Sequence, residues 1–298
     1  MEDKKTRRVH FNLFDALIIV VVLAALGGVL LLRNRVAEQS GGGAARETHT
    51  MRYTVELLQA PYGMVDCLTV GDAIYRSTDG TYMGTLVDFS YQPHKTVEYS
   101  PAVGRYVTFE YEENCDLYLT LENEGYATER DIVIGSIPIK IGNEAPVKGK
   151  GYAKAGYVYS IDPMGAEVPA AADLGTGSLE AVYAIRFATV RDPIAANFHV
   201  GDLLYEDRSG AKLGVIERID SQPARHTVAG LDGTAQYAEI PNNRDLTVYV
   251  RGRAVDKPDG YYLDGGFELK VGAVVDVRSQ YMNRQGVYTE LVSIGEAG

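Results

Sequence analysis

From Tyr53 to Leu58 apolar and polar side chains alternate (YTVELL), and the alternation returns over Tyr183 to Phe187. A period of two marks a strand with one buried face. Each run leads into a Val-Gly-Asp turn and a short strand reaching Tyr75 or Tyr205. A polar turn (RSTDG or EDRSG) and a second strand (TYMGTLVDFSY or AKLGVIERIDS) follow. The two series coincide at an offset of 130: Gly71-Asp72 with Gly201-Asp202, Tyr75 with Tyr205, Gly80 with Gly210. Gly84 likewise matches Gly214, and Gln92-Pro93 matches Gln222-Pro223. Residues 53–93 and 183–223 are therefore two copies of one unit.

The shared residues speak for architecture. Gly80 and Gly210 fall in hairpin turns, where glycine supplies the positive φ. Gly84 and Gly214 interrupt strands, which predicts a bulge or sharp bend. The Gln-Pro pairs read as the points where pairing stops. Variable excursions (94–113 and 224–242) then lead to further strands at Asp116 to Glu122 and Asp245 to Arg251. Each copy closes with an apolar-Lys-apolar-Gly segment around Lys140 or Lys270. Alternation places both lysines on the wet face, either as solvated side chains or as edge protection or a partner contact.

Ahead of the copies the pattern changes. Ala16 to Leu32 is 17 residues without a polar side chain, and Phe11, Leu13 and Phe14 extend it. This suffices to cross a bilayer as one helix, which takes about 20 residues. Arg33-Asn34-Arg35 follows where a cleavage site needs small residues, so the segment reads as an uncleaved anchor. Four basic residues precede it, favouring an N-terminus inside and a body outside. The division is a cytoplasmic N-terminus (1–10), a transmembrane helix (11–32), a flexible tether (33–50), β module 1 (51–162), a Pro/Ala/Gly-rich linker (163–178) and β module 2 (179–298). The expected fold is all-β beyond one N-terminal transmembrane helix, with two tandem, duplicated small β-barrel or sandwich-like modules. The 21 tyrosines, 32 glycines and absence of tryptophan agree with strands and tight turns.

Charge narrows the partners. The first 35 residues carry +3 and the chain −11, leaving −14 on the remainder. An acidic body repels phosphate backbones, which argues against nucleic acid. No nucleotide-binding, hydrolase or metal-ligand motif is present, so neither cofactor nor metal is expected. Cys67 and Cys115 lie only in the first copy, and are either disulfide-bonded or separate thiols. His94 and His226 follow the Gln-Pro pairs and read as exposed loop residues, or as a shared pH-sensitive position. Asp72 and Asp202 read as turn carboxylates capping their own backbone amides. Tyr261, Tyr262 and Tyr281 are either core residues or a stacking patch for sugar rings.

The Phe11-Asn12-Leu13-Phe14-Asp15 entry, the Val70-Gly71-Asp72, Tyr75, Gly80, Gly84 series and the run from Gly260 to Gly272 (GYYLDGGFELKVG) carry a resemblance. The chain resembles the bacterial envelope family catalogued as domain of unknown function 4330. The likeness is closest over the anchor and the second copy, because Ala127 to Ser136 lacks the Tyr-Tyr-Leu-Asp-Gly-Gly run. The resemblance implies a single-span membrane protein with an exterior β domain and transfers no catalytic residue. The expected function is a non-enzymatic binding or assembly module in a cell-envelope complex, such as one for surface-polysaccharide assembly or export. Protein partners or further copies are its expected ligands, with a glycan as a further candidate. The alternatives are a transporter adaptor or shape-scaffold protein, which normally adds a long coiled coil, and an extracytoplasmic hydrolase.

Overall fold

Alternating strands bury a face only if the sheet curls or packs, and here each copy curls. The computed structural model describes residues 47–162, 174–229 and 233–296. The segments read as N-terminus (1–10) and transmembrane helix (11–32), most of the tether and residues 163–173 of the linker lie outside the described residues. Among the described residues no helix is long and apolar enough to cross a membrane. The described chain is all-β but for short helical turns.

The first copy comprises β1 (His49–Pro61), β2 (Ala73–Arg76), β3 (Tyr82–Ser100), β4 (Arg105–Ala127), β5 (Ile132–Ile134), β6 (Ile137–Ile139), β7 (Val147–Gly149), β8 (Tyr152–Lys154) and β9 (Tyr157–Asp162). The second comprises β10 (Leu179–Arg191), β11 (Leu203–Glu206), β12 (Lys212–Ala229), β13 (Ala235–Lys257), β14 (Gly260–Leu263), β15 (Phe267–Glu268), β16 (Val274–Arg278) and β17 (Asn283–Glu296). The four-residue helix α1 (Asp192–Ala195) follows β10.

In the second copy β10 pairs with β17 and β13, β17 with β16, β16 with β11, β11 with β12, and β12 with β13. The hydrogen bonding returns on itself, giving a six-stranded closed ring that leaves none of these strands as a free edge. The first copy repeats it, with β8 and β9 standing where β17 stands. Even the bulges recur: Leu57/Ala60 matches Phe187/Val190, and Ile74/Tyr75 matches Leu204/Tyr205.

Each ring has its own apolar filling, one around Tyr53, Leu57, Leu86 and Leu119, the other around Tyr183, Phe187, Leu213 and Val248. Fully burying each such side chain stabilises the fold by about 1.5–3 kcal/mol. The core tyrosines stay satisfied, Tyr53 donating to the Met83 carbonyl at 2.9 Å and Tyr183 to the Leu213 carbonyl at 2.7 Å. The next residue explains the conserved spacing. A Cβ on Gly84 would lie 2.7 Å from the Glu122 carbonyl oxygen, and one on Gly214 2.2 Å from that of Arg251. These glycines admit the neighbouring backbone beside a bulge, as the interrupted strands predict.

Two expectations fail here. The excursions at 94–113 and 224–242 are mostly strand, because β3–β4 and β12–β13 continue outward as long hairpin arms. Gln92-Pro93 and Gln222-Pro223 do not stop the pairing. The register skips after Pro93 and after Pro223 and then resumes. Proline cannot donate to the ladder, so the strand bulges around it instead of ending.

Candidate functional site

Thr48–Gly298 forms one compact unit, within which the two barrels meet along a seam of named side chains. Lys140 sits at its centre. β6 buries Ile139 on one face, and Ile141 is buried as well. Alternation does put Lys140 on the opposite face, but the second barrel covers that face. Lys140 is therefore buried, correcting its assignment to solvent. Its Nζ donates to the carbonyls of Ser279 at 2.5 Å and Gln280 at 2.9 Å, and to that of Arg130. It also pairs with Asp131 at 3.1 Å. Burial pushes the lysine down to about 8, against the pull of Asp131 and with the repulsion of Arg278.

Around Lys140 the seam is polar and specific. Burial raises the Asp131 carboxyl, but the Arg278 hydrogen bond and the Lys140 charge outweigh it and hold the group below the usual range. Arg278 bridges Asp131 and Asp207. Tyr205 donates to Glu129 at 3.1 Å, while the Arg130 guanidinium lies 4.5 Å over its ring. Gln280 donates to the Thr128 carbonyl at 2.6 Å, and the Ile141 amide donates to the Tyr281 carbonyl at 2.7 Å. At the other end of the seam Arg191 grips the buried Glu56 with two bonds of 2.8 and 2.9 Å. Ile194 of α1 packs against both cores. A cavity of about 310 Å³ opens beside that pair, lined by Glu56, Arg191, Ile194 and Arg284. Desolvation pushes the Arg284 guanidinium down. Buried ion pairs of this kind fix orientation more than they add stability.

The repeated residues divide into those that shape turns and those that meet the seam. Gly71, Gly80, Gly201 and Gly210 have positive φ, as the turns require. Asp202 accepts from the His199 amide at 3.0 Å and caps its own turn, whereas Asp72 accepts from Lys150 at 2.9 Å. Tyr205 is buried under the first barrel, but its counterpart Tyr75 is exposed. Lys270, the counterpart of Lys140, is exposed as expected. Tyr261 and Tyr262 lie half-buried on β14, where Tyr262 donates to Asp259 at 2.9 Å under the Lys257 ammonium. Tyr281 packs against the first barrel's core instead, so among the described residues the three tyrosines form no common patch.

The remaining chemistry is structural. Asp116 and Asp245 each accept a backbone amide, of Gln59 and of Thr189, both residues at positive φ in the recurring bulge. Asp116 also holds His94 Nδ1 at 2.7 Å, so His94 is no exposed loop residue but a half-buried strand residue. His226 is exposed, on a strand. Cys67 and Cys115 are both free, the first exposed and the second buried, and burial pushes the Cys115 thiol up. Among the described residues no group of three or more His, Cys, Asp or Glu could hold a metal ion.

Sequence reading missed Glu56, Glu129, Asp131, Arg191 and Arg278. A signal was present: charge that differs between the copies. Glu56 faces Arg186 across the offset, and Arg191 faces Pro61.

The model of the family described as "Domain of unknown function (DUF4330)" matches residues 2–162. The match covers the N-terminal segment and the first barrel, so the resemblance lies there and not in the second copy. No curated protein and no solved structure matches the chain.

Proposed function

The chain belongs to the DUF4330 family, and from that footing we propose that it is a non-enzymatic, membrane-anchored module that assembles proteins in the cell envelope. Residues 11–32 serve as the single span, with the N-terminus inside and both barrels on the far side of the membrane. What carries this reading is the use made of the charges at the seam. Glu56, Asp131, Lys140, Arg191 and Arg278 are all spent on holding one barrel against the other. This is the chemistry of a protein–protein contact, with charged pairs setting register around apolar packing. The arms add exposed aromatic surface at Tyr91, Phe109, Tyr111 and Tyr237, of the kind enriched where proteins bind partners. A surface-polysaccharide assembly or export complex is the proposed setting.

The test is affinity purification of the full chain from mild-detergent membrane extracts, beside a control lacking residues 1–46. Expected is recovery of a defined envelope protein, or of further copies, that is lost without the N-terminal segment. External protease should also digest the barrels in spheroplasts. A full chain that fractionates as soluble protein, or barrels shielded from external protease, overturns the proposal.

A further inference from the structure

The seam uses two different surfaces, one from each barrel, and the duplication supplies each barrel with a version of both. One of each pair is left over. On the second barrel the receiving face is Tyr205, Gly210, Arg278, Ser279 and Gln280, which take up the β4–β5 turn (Thr128 to Asp131) and Lys140. Their counterparts at the offset of 130 are Tyr75, Gly80, Lys148, Gly149 and Lys150. These residues line an open cleft of about 420 Å³ on the first barrel. The contrast is quantitative. Tyr205 is 0% exposed and Tyr75 42%. A Cβ on Gly210 would meet Arg130 at 2.7 Å, while one on Gly80 would meet nothing within 4 Å.

The inserting surface shows the same contrast in reverse. Ile141 is 1% exposed, and its counterpart Val271 is 62% exposed. Lys140 is buried and Lys270 is exposed. The β13–β14 turn, at Pro258-Asp259, stands where Glu129-Arg130 stands in the first barrel.

Resting on the reading of the chain as an assembly module, we infer that copies associate head to tail. The Asp259 turn and the Lys270-Val271 segment of one copy seat in the Tyr75–Lys148–Lys150 cleft of the next. Charge supports this occupant: the turn carries Asp259, with Asp256 and Lys257 beside it at the end of β13, and the cleft carries Lys148 and Lys150. Lys150 already holds one carboxylate, that of Asp72, at 2.9 Å. By the equivalence, Lys270 reaches the Gly149 and Lys150 carbonyls as Lys140 reaches those of Ser279 and Gln280. Tyr75 lies against the Asp259 turn as Tyr205 lies against Glu129 and Arg130. The joint between chains is the weaker one, since the β13–β14 turn is two residues shorter than the β4–β5 turn, Lys257 pairing with Gly260 where Ala127 pairs with Ile132, and the Arg191–Glu56 grip is not reproduced. Anchoring on one membrane raises the effective concentration and offsets that weakness. Because the two surfaces differ, the contact is heterologous, and each added copy presents a fresh cleft.

The test is cross-linking of the full chain in lipid vesicles with a short bis-maleimide. A Cys67→Ser chain carries Lys150→Cys and Val271→Cys, one on each of the two surfaces. Expected is a ladder of dimers, trimers and higher species on a denaturing gel. An equal mixture of the two single-cysteine chains should stop at dimers. Adding Asp259→Lys should reduce the ladder at least several-fold, and adding Lys148→Glu to that chain should restore it. The chain with native cysteines, followed by light scattering in detergent, should grow in mass with concentration. A ladder that ends at dimers for the double-cysteine chain overturns the head-to-tail mode. A chain that stays monomeric throughout but co-purifies a defined envelope protein overturns self-association and leaves the assembly reading standing. A monomer that recovers no partner overturns both.

Discussion

Tyr75 and Tyr205 occupy the same place in the same short strand after the same turn, yet one is exposed and the other fully buried. Lys140 and Lys270 form a second such pair with the order reversed. Both barrels have the same ring of strands and the same bulges, so local structure does not make the difference. What differs is what stands on top. Each barrel is a nearly interchangeable frame, and burial of its outer face depends on whether the other barrel covers it. A position's chemistry here is set first by its neighbour across the seam and only then by its own strand.

The largest break in the comparison is Lys140→Ala against Lys270→Ala. Lys140→Ala takes the donor from the carbonyls of Arg130, Ser279 and Gln280, while Asp131 keeps Arg278, so it should cost about 3 kcal/mol. Lys270→Ala should stay within about 0.5 kcal/mol. Urea unfolding of the full chain in detergent measures both. If the two variants lose the same stability, the seam does not depend on Lys140.

Alkaline pH gives the next effect. The Lys140 ammonium titrates at about 8 in the folded state against an ordinary 10.5. Between those values the unfolded chain holds the proton that the folded chain has lost, so stability rises with pH across that window. An increase on the order of 2 kcal/mol in urea melts from pH 8 to 10 is expected. Lys140→Met should abolish that increase, and Lys270→Met should leave it intact.

The smallest contrast is Tyr205→Phe against Tyr75→Phe. The first loses a hydrogen bond to the Glu129 carboxylate and should cost about 1–2 kcal/mol. The second should be silent in the same urea melt of the full chain. Equal losses would mean that Tyr75 is as enclosed as its counterpart.

The internal frame was readable from residues because its signals are local. Gly80 and Gly210 must be glycine for the turn, Gly84 and Gly214 for a neighbouring backbone, and Tyr53 and Tyr183 alternate with polar neighbours. The arms were misread for a related reason. Beyond His94 and Arg225 much of both strand faces is wet, so the period of two that announces a strand is weak. Lys140 was misread because alternation tells which face a side chain takes and not what covers that face. Asp131 and Arg278 lie 147 positions apart, and nothing in either local sequence pairs them. His94 was given to a loop because the Gln-Pro pair looked like a stop, when it is a bulge that leaves His94 facing Asp116.

β1 is bonded to β4 along its length on one side and to β9 over Arg52 to Glu56 on the other. It is also the strand through which residues before Thr48 join the barrels. Tension arriving from that direction cannot peel β1 from a free edge. It must slide the strand against two ladders at once, so the load is shared among many hydrogen bonds strained together. Resistance to such a pull is set by the rate of unfolding and not by equilibrium stability. The strand that continues into the N-terminal segment is thus held by two ladders at once.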